Sequence, residues 1–283
     1  MAAQRVALVT GANQGIGLEI VRQLCKKFDG KVVLSARDPG RGRDAVKQLE
    51  GEGLHPELLV LDVSSEQSVA AAKQSLQETH NRLDVLINNA AIFLSSSDVS
   101  FPEAVRQTIA VNYYGLLRVT NTFLPLLQPH GRIIYMSSGL GNIKHIGQKW
   151  KEAVLNPDLT EEGLTQIMDQ FVEDAQKEDY STRGWPIHQS GDRYYAPYNV
   201  SKIGVNRLAE IQAKTLGSDP SRPGVLVNAV CPGWVRTRMG GPTAHRSIEQ
   251  GADTPVYLSL LPPGTQEPHG LFLRDRLPVS WRS

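Results

Sequence analysis

The sequence predicts an α/β fold, a doubly wound parallel sheet of about seven strands with helices on both faces, forming one domain over 1–283. Three observations carry the prediction. Short apolar runs alternate with stretches of helical periodicity along most of the chain, the pattern of strand–helix–strand units. The first apolar run passes directly into a glycine turn that opens a helix. Finally, 283 residues with 40% hydrophobic and 21% charged content are enough to bury one large core.

The first strand is Arg5-Val-Ala-Leu-Val-Thr10, followed by Gly11-Ala-Asn-Gln-Gly15-Ile-Gly17 and the helical pattern Leu18, Ile20, Val21, Leu24. Strand, glycine turn and helix in this order form the Rossmann-type arrangement. The glycines permit a tight turn and close backbone approach, so a pyrophosphate can sit at the helix N-terminus among unpaired N–H groups. A purely structural turn is the alternative. An ATP-type P-loop is excluded because no Lys-Ser/Thr follows Gly17.

Lys31-Val-Val-Leu-Ser35 is the second strand, ending in Ala36-Arg37-Asp38. A carboxylate at this strand end suits the ribose of NAD, whereas an arginine suits a 2′-phosphate. Arg37, with Arg41 and Arg43 nearby, favours NADPH; Asp38 leaves one carboxylate close by. Leu58 to Val63 reads as the third strand, with Asp62 and Val63 placed to meet an adenine, and Asp84-Val-Leu-Ile87 as the fourth, running into Asn88-Asn89-Ala90-Ala91. In the following helix the stripe Val105, Ile109, Asn112, Leu116, Val119, Phe123 is apolar except for Asn112, a carboxamide that needs partners when buried. Gly115 is expected to admit a close neighbour.

Gly131-Arg-Ile-Ile-Tyr-Met136 is the fifth strand and delivers Ser137-Ser138-Gly139 at its carboxyl end, beyond which ligands bind in open α/β sheets. The 59 residues at 139–197 exceed any ordinary strand-to-helix connection. An insertion is therefore expected over approximately 141–192. Within it Thr160 can cap a helix whose apolar face is Leu164, Ile167, Met168, Phe171 and Val172. Lys177 to Asp192 reads as a loop lining a cleft. Tyr198 and Lys202 then share one helix face, four residues apart. Of eight tyrosines only Tyr198 has a lysine four residues on. An ammonium about 4 Å from a phenol, at an effective dielectric of about 20, favours the phenolate by roughly 4 kcal/mol. That would lower its pKa by about three units. An ordinary surface pair has the same spacing. Gly224 to Val230 is the sixth strand, leading to Cys231-Pro232-Gly233-Trp234-Val235-Arg236-Thr237, where Trp234 is either a cleft wall or core. Gly270-Leu-Phe-Leu273 offers an edge strand.

The formal charge of +1, without a Lys/Arg cluster, argues against nucleic-acid and membrane partners. Cys25 and Cys231 have no ligand spacing, so neither a metal site nor a disulfide framework is expected. His145, His188, His245 and His269 are assigned to surface or structural roles. Without a signal-peptide pattern, an apolar run near 18 residues, or a retention or peroxisomal address at Trp281-Arg-Ser283, the expected location is cytoplasmic.

Together Thr10-Gly11-x-x-x-Gly15-x-Gly17, Asp62-Val63, Asn88-Asn89-Ala90, Asn112, Ser138, Tyr198-x-x-x-Lys202 and Pro232-Gly233 with Thr237 resemble the short-chain dehydrogenase/reductase family. Ala7-Leu-Val-Thr-Gly11, Ser35-Ala-Arg-Asp38, Phe171-Val-Glu-Asp174, Gly184-Trp-Pro186, Ser201-Lys-Ile-Gly204, Cys231 through Thr237, Thr254-Pro-Val-Tyr257 and Leu261-Pro-Pro263 extend the resemblance to its monomeric carbonyl reductases. The resemblance implies that the insertion folds over the helices by which relatives dimerise. It makes Tyr198 the acid, Lys202 the residue that lowers its pKa and binds the ribose, Ser138 the orienter of the carbonyl, and Asn112 the anchor of a proton-relay water. The cofactor, NADPH, is assigned to Gly11, Asn13, Gln14, Gly15, Ile16, Gly17, Arg37, Arg41, Asp62, Val63, Asn89, Tyr198, Lys202, Pro232, Gly233, Val235, Arg236 and Thr237. Ser138, Leu140 and Trp234 are assigned to the carbonyl substrate. Two departures stand out: Gln14 replaces a lysine common before the second glycine, and Ala91 replaces a glycine. Phe93-Leu94-Ser95 lacks the basic residue near which some relatives bind glutathione conjugates, so that ligand is not carried over. The expected activity is NADPH-dependent carbonyl reduction by a monomer. The alternatives are oxidation of a steroid or prostaglandin alcohol, a non-catalytic NADPH-binding regulator, and a scaffold using the 163–172 helix.

Overall fold

The computed structural model describes residues 4–186, the backbone of 189–190, and 193–283. Of the expected cleft loop and the histidines, Asp192 and His188 lie outside the described residues. The chain alternates strand and helix as expected: β1 (Arg5–Val9), α1 (Gly15–Lys27), β2 (Gly30–Ala36), α2 (Pro39–Glu50), β3 (Glu57–Val60), α3 (Glu66–Thr79), β4 (Leu83–Asn88), α4 (Phe101–Ile109), α5 (Leu116–Phe123) and β5 (Leu127–Met136). There follow α6 (Gln148–Leu155), α7 (Glu161–Asp174), the short strands β6 (Gln189–Ser190) and β7 (Arg193–Tyr194), α8 (Tyr195–Gly217), β8 (Leu226–Val230), α9 (Ile248–Ser259), β9 (Phe272–Arg274) and β10 (Leu277–Pro278).

The main sheet runs β10-β9-β8-β5-β4-β1-β2-β3, parallel except for the β9–β10 pair. It has eight strands rather than about seven, because the chain turns back after Phe272–Arg274 and adds β10 outside the expected edge. Successive residues of a strand face opposite sides. Val6 and Leu8 accordingly join the core beneath α3, α4, α5, α7 and α8, while Ala7 and Val9 join the one beneath α1, α2 and α9. The order reverses at β1, whose neighbours are β2 and β4, and this reversal opens a crevice at the carboxyl ends of the strands.

Helix starts are set by local side-chain bonds. Asp38, Ser65 and Thr160 accept from backbone N–H groups of the first turns of α2, α3 and α7, and Ser247 with Gln250 forms a capping box at α9. A cap such as Thr160 contributes about 1 kcal/mol. The expected helix around Asn112 is interrupted: Ala110–Gly115 is a π-helical turn between α4 and α5. The stripe from Val105 to Phe123 stays buried across this turn. Gly115 is needed because Val63 packs there; a Cβ at that position would lie 2.8 Å from Val63 Cγ2. The stretch Lys177 to Asp192 is not a simple loop, since it contains a 3-10 turn at Tyr180–Thr182 and strand β6.

Candidate active site

The glycine turn is held from behind by Asn89. Its Nδ2 donates to Thr10 O at 2.9 Å and Gly11 O at 3.0 Å, while the Thr10 hydroxyl accepts from the N–H groups of Asn89 and Ala90. Gly11 and Gly17 are required by close approach, with a built Cβ 2.8 Å from Ala90 Cα and 2.5 Å from Asn89 Nδ2. Gly15 is required by its φ of +59° and faces Thr237. The Asn89 amide thus shapes the turn. Gln14 is exposed at the N-cap of α1 and makes no side-chain cap bond, and no acidic residue occupies the first turn. This leaves the helix terminus suited to an anion.

At the end of β2, Arg37 is exposed. Asp38 accepts from Arg41 N at 2.7 Å, and that bond, more than the nearby guanidinium groups, holds its carboxyl below the usual range. The Arg41 guanidinium leans toward the same carboxylate, 3.8 Å away. Asp62 accepts from the Ser64 N–H and hydroxyl, and Val63 is buried against Gly115.

After β8, Val235 turns inward against Gly251, so its side chain supports the loop. Arg236 N donates to Arg246 O, and the Thr237 hydroxyl accepts from Gly240 N at 3.0 Å. Gly233 has φ +78° and lies against Arg246, following Pro232. Trp234 is 51% exposed, with Nε1 donating to Gly240 O, which excludes the core alternative. His245 meets the Trp234 ring edge-on rather than standing alone, whereas His269 bridges Val227 N and Ala213 O structurally.

The two serines after β5 differ in exposure. Ser137 is buried and reaches Lys202 O, whereas Ser138 is partly exposed, accepts from Leu140 N at 3.1 Å and lies near enough to the Tyr198 hydroxyl to act on its pKa. Tyr198 and Lys202 are both buried on α8, with Lys202 Nζ 5.5 Å from the Tyr198 ring centroid. Nζ donates to Met136 O at 2.7 Å. Burial pulls the Lys202 pKa down to about 8, and no carboxylate among the described residues opposes it.

The expected depression of the Tyr198 pKa by Lys202 is not what the protein's own groups produce. Burial pushes the phenol up and the Cys231 thiol adds to the shift; only Ser138 acts the other way. Desolvation outweighs attraction because the phenolate would be buried while the ammonium is directed to Met136 O.

Asn112 is 1% exposed and finds its partners without water: Oδ1 accepts from Ile92 N at 2.8 Å, and Nδ2 donates to Ile92 O and Ser201 Oγ. It thereby ties the π-turn to the loop after β4 and to α8. Sequence reasoning missed Phe93, which stacks on Tyr198, and Cys231, whose thiol accepts from Gly139 N. Their neighbours in the motifs were readable, but stacking across distant loops leaves no spacing signal.

Residues 5–150 match the short chain dehydrogenase family. The chain belongs to that family. Among its relatives, carbonyl reductase (NADPH) 1 of Rattus norvegicus is 43% identical over 279 residues, 98% of each chain, and the human carbonyl reductase (NADPH) 3 is 42% identical over 280 residues with the same coverage. Among solved structures, the salutaridine reductase of Papaver somniferum superposes with a TM-score of 0.83 at 27% identity, over 96% of this chain and 100% of that one. The menthone neomenthol reductase of Mentha piperita gives 0.80 at 30% identity, over 96% and 99%. This short-chain dehydrogenase thus shares its architecture with reductases along nearly its whole length.

Proposed function

We propose that the protein is an NADPH-dependent reductase of ketones, aldehydes and quinones, with Tyr198 as proton donor. The observation that carries this reading is the meeting of Tyr198 and the buried Lys202, whose Nζ lies 5.5 Å from the phenol ring centroid, with Ser138 at the carboxyl ends of the parallel strands. The 42–43% identity to carbonyl reductases over 98% of the chain supports the same chemistry.

The residues fit the cofactor. The α1 terminus lacks both a side-chain cap and a first-turn acid, Asp38 is engaged as a helix cap, and Arg37 is exposed beside it. Arg37 and Gln14 would hold the 2′-phosphate, the Gly11–Gly17 turn the pyrophosphate, Asp62 and Val63 the adenine, and Lys202 the ribose. Bound NADPH supplies the hydride. Ser138 and Tyr198 orient the carbonyl oxygen, and the Tyr198 hydroxyl donates its proton as negative charge develops there. Lys202 then offsets the charge left on the phenolate. Asn112 holds the π-turn and α8 in register, and its relay water remains part of this reading. Leu140 and Trp234 form apolar walls.

The monomer reading is supported by α7, which covers α4 and α8. Its Glu161 accepts from Gln212 and Asn121, and Tyr113 and Tyr114 bond to Thr165 and Asp169. Cytoplasmic residence accords with two unpaired cysteines. Among the described residues no helix is long and apolar enough to cross a membrane. The deciding experiment follows NADPH consumption over varied carbonyls with wild type and Tyr198→Phe. Turnover that disappears while NADPH binding persists supports the reading, and turnover unchanged by the substitution refutes it.

A further inference from the structure

Phe93 closes over the ring of Tyr198. The two rings stack with centroids 4.6 Å apart and 22° between planes, and Tyr195 meets Phe93 edge-on at 5.1 Å. Phe93 also meets a cation, for the Arg193 guanidinium lies 4.9 Å from its ring centroid. Arg193 is anchored on two sides. Its backbone bridges to Ser95, two residues beyond Phe93, and its Nη1 donates to Met239 O at 2.7 Å. The neighbouring Tyr194 N donates to Leu94 O. One arginine therefore ties the loop after β4 to the loop after β8 and holds an aromatic ring against the proton donor.

We propose that Phe93 is a positioning residue for Tyr198 and that Arg193 is the latch that keeps it in place. The inference rests on the assignment of Tyr198 as the acid. A phenol on a helix has two torsions to settle, and Ser138 fixes only the oxygen end. The stack fixes the plane of the ring, so the hydroxyl is presented at one angle. The stack restricts ring orientation because turning the phenol about its long axis would drive its edge into the Phe93 face, with the centroids only 4.6 Å apart, and would forfeit an aromatic contact of about 0.5–1.5 kcal/mol. The guanidinium, anchored to a backbone carbonyl, is attracted to the Phe93 face and limits its departure. Proton transfer is sensitive to such placement, and a shift of about 1 Å lowers a rate by up to about a hundredfold.

The test compares kcat, KM and NADPH affinity for wild type, Phe93→Leu, Phe93→Tyr, Arg193→Met and the double variant Phe93→Leu/Arg193→Met, with a small aromatic aldehyde. Phe93→Leu keeps apolar bulk but removes the stack, so kcat is expected to fall about tenfold or more with KM and NADPH affinity within about twofold. Phe93→Tyr restores most of the rate. Arg193→Met lowers kcat severalfold alone and adds no further loss to Phe93→Leu. Unchanged kcat in Phe93→Leu, a loss confined to KM, failure of Phe93→Tyr to recover the rate, or additive effects in the double variant each overturn the proposal. Should Phe93→Leu fail to fold, the rates of Phe93→Tyr and Arg193→Met decide, because only the latter is expected to fall. A wild type without carbonyl turnover would instead defeat the Tyr198 assignment, and this inference with it.

Discussion

Lys202 Nζ donates to Met136 O at 2.7 Å, and among the described residues no carboxylate pairs with it. The group therefore opposes folding while charged. Burial sets its folded pKa at about 8, below the ordinary 10.5. Between those values the unfolded chain holds the proton and the folded chain does not, so stability from this residue rises with pH; below about 8 it sits at its lower plateau. Relative to Lys202→Met, the wild type is expected to gain about 2 kcal/mol between pH 7 and 9.5. Urea unfolding of both proteins at the two pH values checks this, and parallel curves would mean that the ammonium is already compensated.

The coenzyme preference turns on a carboxylate that is already engaged. Because Asp38 caps α2 through Arg41 N, Arg37 is left as an exposed charge at the end of β2 with no ion pair among the described residues. Charge-assisted hydrogen bonds contribute about 1.5–3 kcal/mol, so Arg37→Ala is expected to weaken NADPH binding roughly ten- to hundredfold. NADH binding should barely change. Asp38→Asn retains a capping oxygen and should leave the ratio of the two affinities as it is. Fluorescence titration with each coenzyme measures both, and equal losses for NADPH and NADH in Arg37→Ala would remove that arginine from the phosphate site.

The loop after Ser138 is tied down by a distant part of the chain. Trp281 is 4% exposed, its carbonyl accepts from Ile143 N at 2.9 Å, and its indole donates to Glu210 Oε1 at 3.0 Å. Replacing a buried tryptophan by alanine costs about 3–5 kcal/mol. Trp281→Ala is therefore expected to lower stability by that order and to reduce kcat, since the loop carrying Leu140 loses its brace while the glycine turn is untouched. Chemical denaturation and steady-state rates at equal NADPH saturation test it. A rate equal to that of wild type would show that the brace serves stability alone.

The parts legible in the sequence are those in which local chemistry and fold agree. The Gly11–Gly17 turn, the Thr160 cap and the apolar face of α7 each follow from spacing within one element. Helix α9 was less apparent because Pro255 interrupts its pattern, although Ser247 and Gln250 form a readable capping box. Helix α6 is only eight residues long, too short to establish a periodicity. The sign of the Tyr198 shift was beyond reach for a different reason: helical spacing brings an ammonium near a phenol but says nothing about how deeply both are buried. Phe93 on Tyr198 likewise depends on two loops meeting in space.

Gly204 on α8 faces α7 with no side chain between them: a Cβ there would lie 3.0 Å from Tyr113 Cδ2 and 3.1 Å from Met168 Sδ. Alanine requires both the buried Tyr113 ring and the Met168 thioether to give by a few tenths of an ångström, and its helix-propensity gain of up to about 1 kcal/mol offsets that cost, so Gly204→Ala should be close to neutral. Isoleucine drives two further branches into the seam, and such overpacking costs about 1–3 kcal/mol. If α7 is what covers the α4 and α8 face, Gly204→Ile should lift it and expose that apolar surface. Light scattering would then report self-association in Gly204→Ile and a monomer in wild type and Gly204→Ala. A Gly204→Ile protein that loses stability yet stays monomeric would separate the packing of α7 from any role in preventing association, and a dimeric wild type would remove that role altogether.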